Sequence, residues 1–239
     1  HSLQCFPHPI VSFFWREPFI QSVEEDNFSG IFVEVGDLNA FAAGSDGIET
    51  ILSARDVPGE NSFGVYPHLK DQPVFADGHV RYRGEAVLAI IGTRVAVDGM
   101  NFGDLPIEWQ PQDAVTGVDA ALQSGAANVH DTTPGNVLTT GRLRKGEMDT
   151  VFESAAVADG TLQTAFVEHA YIEPEAGFAE RTGNRIEVTA CTQAPYMDLD
   201  ECARVLGVEK DAVRIIPSAC GGGFGGKLDA SVQLPLAIA

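Results

Sequence analysis

Gly221-Gly222-Gly223-Phe224-Gly225-Gly226-Lys227 is the most informative stretch of this chain, and it is called the glycine loop below. It follows a short β-branched run, predicted as a strand over 212–216, and precedes an apolar segment, 232–238, predicted as a helix. Backbone without Cβ atoms can approach a ligand closely and point successive N–H groups at an anion. The alternative is a tight strand-to-helix turn that binds nothing.

Two nucleotide-binding patterns also match the glycine loop. As a Walker A loop, Gly221, Gly226 and Lys227 fit G-x-x-x-x-G-K, but Leu228 stands where a Ser or Thr must hold magnesium. As a dinucleotide fingerprint, Gly221, Gly223 and Gly226 fit G-x-G-x-x-G, although that pattern belongs in an early βαβ unit. A nucleotide-binding protein that uses Gly221 to Gly226 for phosphates is therefore one alternative.

Hydrophobic spacing predicts strands and helices on the N-terminal side of the loop. Apolar residues at helical spacing after Asp198 predict a helix with Asp198 as its N-cap and Gly207 at its end. Period-two alternation predicts half-buried strands over 161–168 and 185–191, and helical spacing recurs over 151–156 and 115–122. The second half of the chain thus mixes helix and strand.

The first half is rich in strand-forming runs. Residues 31–35, 80–83 and 86–91 are predicted as strands, residues 51–57 as a strand leading into a turn, and Leu105 to Pro111 as an extended edge. Polar, turn-forming residues dominate 126–145. These patterns predict an α+β fold with a first domain over 1–112, a connecting segment over 113–145 and a second domain over 146–239.

The charge balance limits the partners of this chain. Among 239 residues, 34 acidic and 15 basic side chains give a net charge of −19, which repels nucleic acid and anionic lipid. The sequence contains no apolar run of membrane-spanning length. The four cysteines form no C-x-x-C pair, which favours reduced thiols in the cytoplasm. The chain lacks an initiator Met and stops in an apolar stretch, so we expect a piece of a longer protein.

Several other side chains could carry chemistry. Glu168, Glu173 and Glu175, with His169 among them, could act as acid and base, but a structural role is favoured because neighbouring strand positions face opposite sides. A small buried residue before the glycine run is the favoured interpretation of Cys220. For Lys227, two alternatives stay open: neutralising a cofactor phosphate or capping a surface.

The glycine loop resembles the molybdopterin-contacting loop of the molybdenum hydroxylases, the xanthine dehydrogenase and aldehyde oxidase family. Further segments resemble segments of that family in the same order, and the similarity runs from about residue 30 to the C-terminus. These segments are Ala54–Gly59, Pro73–Gly78, Val80–Glu85, Pro134–Val137, Glu168–Ala176 and Thr192-Gln193.

The resemblance implies an α/β hammerhead domain followed by the first part of the molybdenum-cofactor domain. It places Gly222, Gly223, Phe224 and Gly225 against molybdopterin, and it implies that Gln193 donates a hydrogen bond to an oxo ligand of the metal. Amide and backbone N–H donors stabilise anionic oxygen without ligating a metal. No residue of this chain is expected to ligate the metal directly.

The family also suggests a reaction and its partners. Phe224 and Leu228 would line the substrate pocket, and Leu228 replaces the Glu of xanthine-oxidising members, which favours an aldehyde or an N-heterocycle oxidised with water-derived oxygen. The catalytic base, a Glu, is expected downstream of these residues, and 2Fe–2S clusters and FAD are expected on partner subunits or domains. The fragment alone is expected to be inactive. The other alternative is a non-catalytic assembly module of the same fold.

Overall fold

The computed structural model describes residues 10–12, 31–82, 84–113, 115–147, 153, 156–165 and 167–239. The first part of the chain contains the elements β1 Ile10–Ser12, β2 Ile31–Val35, α1 Leu38–Ala43, β3 Ile48–Leu52, β4 His79–Val80, β5 Ala89–Gly92, α2 Arg94–Gly99, β6 Ile107–Pro111 and α3 Val118–Ala121. The second part contains β7 Gly177–Thr182, β8 Arg185–Ala190, α4 Pro195–Leu206, β9 Val213–Pro217 and α5 Gln233–Ile238.

The described residues build three sheets of three strands each. Two lie in the first part of the chain and are antiparallel, in the orders β1-β5-β3 and β4-β2-β6. In the third sheet, β7 pairs antiparallel with β8, and β8 pairs parallel with β9. The parallel connection requires a crossover, which α4 supplies. This mixture of helix and sheet confirms the predicted α+β class.

Local polar groups fix where the short elements of the first part begin. The Asp37 carboxylate accepts from the Ala40 N–H and starts α1, and the Thr93 hydroxyl accepts from the Ala96 N–H and starts α2. Ser53 and Asp56 form a capping box around a 3₁₀ turn that follows β3. The edge strand predicted between two prolines is present as β6.

The largest hydrophobic core is shared between the two parts of the chain. Val74, Phe75 and Ala89 from the first part pack in one cluster with α4, α5, β8 and β9. The backbone N–H groups of Gly59 and Glu60 also donate to the carbonyls of Val205 and Arg204, at 2.8 and 3.2 Å. These two carbonyls lie in the last turn of α4, where a helix lacks its own donors. The first part of the chain therefore supplies hydrogen-bond donors to the C-terminal end of this helix.

The structure corrects the predicted start of the long helix. Helix α4 begins at Pro195 rather than after Asp198, and Pro at the first helical position needs no N–H partner. Asp198 lies inside the helix and is fully buried. The predicted end at Gly207 is confirmed, with this residue in the left-handed conformation.

Two further predictions were wrong. Residues 161–165 and 167–168 form no strand, and Leu162 and Val167 are almost fully exposed. The short helix α3 likewise exposes Val118 and Leu122, so their spacing does not reflect a buried face. The helix predicted over 151–156 lies, apart from residues 153 and 156, outside the described residues.

The C-terminal apolar segment folds against its own chain. Leu234, Leu236 and Ala237 of α5 are buried, and the first and last of these belong to the shared core. These three side chains are therefore covered by residues of the same chain. The hammerhead domain and the boundaries at 112 and 145 remain predictions. The shared core contains residues from both sides of these two boundaries.

Candidate functional site

The glycine loop follows β9 at the edge of the third sheet. Strand β9 ends at Pro217, and the Ser218 N–H donates to the carbonyl of Ala190 at the end of β8. The carboxyl ends of these two parallel strands therefore lie side by side. The residues that follow them, Gln193 after β8 and the glycine loop after β9, are brought together at this edge, the usual place of ligand sites in parallel sheets.

Phe224 lies at an unusual point of the loop. Its φ angle of 51° is in the left-handed region, which costs a residue with a side chain of order 1 kcal/mol or more. Its side chain is 76% exposed, so packing within the described residues does not compensate. Such strain is typical of ligand-binding loops. The Phe224 ring is thereby exposed at the surface of the loop.

Close approach explains two of the glycines. A Cβ added at Gly223 would lie 2.4 Å from Oε1 of Gln193, and one added at Gly221 would lie 2.7 Å from Cβ of Glu173. Real side chains do not approach this closely. Gly223 therefore allows the loop to rest against Gln193, and Gly221 allows it to rest against the segment that carries Glu173.

Gln193 fastens the loop through its carbonyl oxygen. Oε1 accepts from the N–H groups of Gly225 and Lys227, at 3.0 and 3.2 Å, and the Gln193 backbone N–H donates to the Lys227 carbonyl at 2.9 Å. Because both lone pairs of the carbonyl are used, the amide orientation is fixed. The Nε2 group has no acceptor among the described residues, so it is available as a donor to a ligand.

Three consecutive backbone donors at the centre of the loop are also available. The N–H groups of Gly222, Gly223 and Phe224 have no acceptor within the described part of the chain, whereas those of Gly221, Gly225, Gly226 and Lys227 are all bonded. A run of free donors bounded by fastened residues is suited to bind an anionic oxygen. The loop has the chemistry that an anionic cofactor requires.

Glu173 and Lys227 form an ion pair that also binds the start of the glycine loop. The Glu173 carboxylate accepts from the Gly221 N–H and from the Lys227 ammonium, each at 2.8 Å. Lys227 is 1% exposed, also donates to the Glu173 carbonyl, and lies 4.5 Å from the centre of the Tyr171 ring. The surface alternative for Lys227 is wrong, because its ammonium is buried and paired with Glu173. Neutralising a cofactor phosphate stays a prediction.

The charges of this group are well defined. The hydrogen bond from Lys227, followed by that from Gly221, lowers the pKa of the Glu173 carboxyl. Burial, followed by a 2.8 Å hydrogen bond to Glu175, raises the pKa of Tyr171 to about 12. Glu173 is therefore ionised and Tyr171 protonated at neutral pH. Both Glu173 and Glu175 hold neighbouring residues, as a structural role requires.

The sequence did not reveal the contact between 168–175 and the glycine loop. Glu173 and Gly221 are 48 residues apart, and no local pattern connects them. The signal that could have found it is the joint presence of both segments in the family resemblance. Residues 168–175 form no strand, and Glu168 Oε1 lies 3.7 Å from Nδ1 of its neighbour His169.

The remaining candidate residues lie around the loop. Leu228 is 43% exposed beside it. Cys220 is exposed rather than buried, and its thiol lies 3.3 Å from the Gly222 carbonyl. Within the described residues, no three His, Cys, Asp or Glu side chains are grouped so as to hold a metal ion. None of the helices described in the structure has the length and apolar character needed to cross a bilayer.

Known proteins are similar to this chain over most of its length. Residues 129–239 match the model of the molybdopterin cofactor-binding domain. The chain is 32% identical over 196 residues to the nicotinate dehydrogenase large molybdopterin subunit of Eubacterium barkeri, covering 81% of this chain and 45% of that protein. It is 30% identical over 198 residues to the xanthine dehydrogenase of Oryza sativa subsp. japonica, covering 79% of this chain and 13% of that protein. The chain belongs to the molybdenum hydroxylase family.

Solved structures agree with the fold. The aldehyde oxidoreductase from Desulfovibrio gigas superposes with a TM-score of 0.75 at 20% identity, over 87% of this chain and 24% of that one. Quinoline 2-oxidoreductase from Pseudomonas putida 86 superposes with a TM-score of 0.69 at 27% identity, over 84% of this chain and 26% of that one. The chain described here spans less than half the length of these relatives.

The matched domain contains both parts of the donor set. Gln193 and the glycine loop both lie inside residues 129–239. The N–H groups that are free within the described residues and the outward amide of Gln193 fit a cofactor that is held through its own anionic atoms. The residues present therefore fit molybdopterin.

Proposed function

We propose that this chain forms part of the large subunit of a molybdenum hydroxylase and that its glycine loop and Gln193 bind the molybdopterin cofactor. The observation that carries the proposal is the run of three backbone donors at Gly222, Gly223 and Phe224 beside the amide of Gln193, all without an acceptor in the part of the chain that the structure describes. Backbone donors and one amide bind anionic oxygen without competing for the metal. When bound, the cofactor supplies a two-electron oxidation.

The residues of this chain would act by binding and orientation. Gln193 Nε2 would hold an anionic oxygen of the cofactor, and Gly222, Gly223, Phe224 and Gly225 would line its pterin side. The exposed Phe224 ring would form one wall of the substrate pocket. The base that removes a proton from water is a Glu expected elsewhere in the large chain, so catalysis requires more than these residues.

We propose an aldehyde or an N-heterocycle as the substrate class, with water as the source of the added oxygen. Leu228, which is partly exposed beside the loop, offers apolar contact where a Glu would accept a hydrogen bond from a purine. A site without that acceptor loses the selectivity that a buried hydrogen bond provides. The names of the relatives, which include nicotinate and xanthine dehydrogenases, support the wider class of heterocycle and aldehyde oxidation.

The electrons would leave through 2Fe–2S clusters and FAD on partner subunits or domains, and the complete enzyme would work in the cytoplasm. Cys191, Cys202 and Cys220 are free and scattered, which is unlike the grouped thiolates of an iron–sulfur cluster. The α/β hammerhead domain proposed for the first part and the domain limits given above belong to the same proposal.

The experiment compares the complete enzyme with the isolated 239-residue chain. We expect about one molybdenum and one pterin per complete large subunit, and none in the isolated chain, because the loop is only one wall of the site. The complete enzyme should oxidise an aromatic aldehyde or an N-heterocycle with a higher kcat/KM than xanthine. A complete enzyme without molybdenum would refute the proposal, and efficient xanthine turnover would refute the role of Leu228.

A further inference from the structure

Glu173 joins the two ends of the glycine loop. One of its carboxylate oxygens, Oε2, accepts from the N–H of Gly221, the first residue of the loop, and from Nζ of Lys227, the last one. Lys227 donates a second time to the backbone carbonyl of Glu173, at 3.1 Å. One residue therefore sets the distance between the two points where the loop starts and ends.

The setting of Lys227 makes this connection strong. Its side chain is 1% exposed, whereas that of Glu173 is 34% exposed. A buried ammonium must keep its partner, because an unpaired charge in the interior is costly. The Tyr171 ring lies over the same ammonium, and the Tyr171 hydroxyl is held by Glu175. Lys227 thus has little freedom to leave Glu173.

A glycine-rich loop gains most from such a connection. Glycines have the largest backbone entropy to lose when a loop becomes ordered, and a loop ordered before binding does not lose it at that moment. Lys227 also neutralises Glu173, which otherwise would bring a negative charge close to donors that bind an anion. The pair therefore orders the loop without repelling its ligand.

We propose that Glu173 is a positioning residue that holds the glycine loop in its binding conformation, so that the N–H groups of Gly222, Gly223 and Phe224 are aligned before the cofactor arrives. This inference rests on the proposed function for the identity of the ligand. The alignment itself is a property of this chain and is measurable without turnover.

The test uses the complete enzyme and three variants. Glu173→Gln removes the charge, and Glu173→Leu combined with Lys227→Met removes the charge pair and the acceptor without leaving an unpaired charge. Glu180→Gln, on an exposed position of β7, is the control with the same charge change. Amide hydrogen exchange is followed for peptides covering 219–228 and covering α4, and retained molybdenum is measured after dialysis.

We expect the loop amides to exchange about tenfold faster in both Glu173 variants, as for the loss of a charged hydrogen bond, with α4 unchanged. Molybdenum retention should fall in the same variants and stay at the wild-type level in Glu180→Gln. If Glu173→Gln does not fold, the double variant decides, because apolar replacement of a charge pair usually preserves stability.

Loop exchange at the wild-type rate in the Glu173 variants would overturn the positioning role, even with molybdenum present. Faster exchange spread equally over α4 would also overturn it, because that result describes general destabilisation. A wild-type enzyme without molybdenum would instead refute the proposed function, while the exchange rates would still decide whether Glu173 orders the loop.

Discussion

Two ion pairs, each with one side chain almost fully buried, connect distant parts of this chain and lie in different regions. In the scaffold, Glu201 of α4 pairs with Lys70 from the first part and with Arg204 one turn later. At the site, Glu173 pairs with Lys227. The first pair joins residues 131 positions apart and the second joins residues 54 positions apart. Both therefore act through tertiary structure rather than local structure.

The two pairs differ in what else they bind. The Glu201 side chain is 3% exposed and contacts two cations, one of which, Arg204, also reaches Glu60 and Ser62. Glu173 is one-third exposed, contacts one cation and uses the same oxygen to bind loop backbone. The comparison indicates that the scaffold pair stabilises the fold, while the site pair stabilises one conformation of a loop.

The largest expected effect is on the scaffold pair. Glu201→Gln leaves Lys70 and Arg204 without their buried carboxylate and should lower the free energy of unfolding by about 3 kcal/mol. Urea denaturation measures this loss. Glu187→Gln is the matched control, because Glu187 pairs with the mostly exposed Arg214 and should change stability by less than about 1 kcal/mol. Equal losses in the two variants would contradict the comparison.

A second prediction concerns the pH dependence of stability and Asp198, which precedes Glu201 by one turn of α4. Burial raises the pKa of Asp198 to about 6, from its ordinary value of 3.8. The folded state therefore binds the proton more tightly, and the stability from this group is full below pH 3.8 and lost as the pH rises through 6. Gln233 donates to one carboxylate oxygen, and the other has no partner in the described structure.

Asp198→Asn should remove this dependence. We expect the variant to gain roughly 2 kcal/mol over wild type at pH 7, after allowance for solvent screening, and to show no gain at about pH 3.5. Thermal unfolding of both proteins across this range measures the difference. A constant difference between the two proteins at all pH values would show that Asp198 does not titrate in the folded state.

The smallest effect is expected in the loop. An added Cβ at Gly223 would collide with Oε1 of Gln193, so Gly223→Ala should displace Gln193 and cost about 1 kcal/mol of stability. Gly99, at the end of α2, has open space around it, and Gly99→Ala should be neutral or stabilising by up to about 1 kcal/mol. The same sign of change in both variants would contradict the close contact.

The sequence predicted elements whose signal is local. The strands over 31–35 and 185–190 have clear patterns, and Gly207 marks the end of α4 because a left-handed residue ends helices. Prediction from the sequence was wrong where tertiary contacts determine the local structure. Asp198 looks like a helix cap but is buried by α5, and Leu162 looks like part of a strand but has no neighbouring strand in the described structure.

The candidate site, like the fold, could be predicted from the sequence only in part. The glycine loop is visible as a run of residues, and the family resemblance named Gln193, Phe224 and their neighbours as cofactor contacts, which remains a prediction. The role of Lys227 could not be inferred, because its partner Glu173 lies in a segment without periodicity. Charge pairs between distant segments leave no local pattern, so only the folded chain reveals them.

The hydrogen bonds from Gly59 and Glu60 to the end of α4 have a kinetic consequence. Those bonds join residues more than about 140 positions apart, and the core that they border contains residues from both parts of the chain, so both form only after a large loop has closed. High contact order of this kind slows folding. Until the first part docks, the Val205 carbonyl lacks its donor and the apolar face of α4 is uncovered. We therefore expect the encounter of the two halves, rather than the formation of either half, to set the refolding rate of this chain.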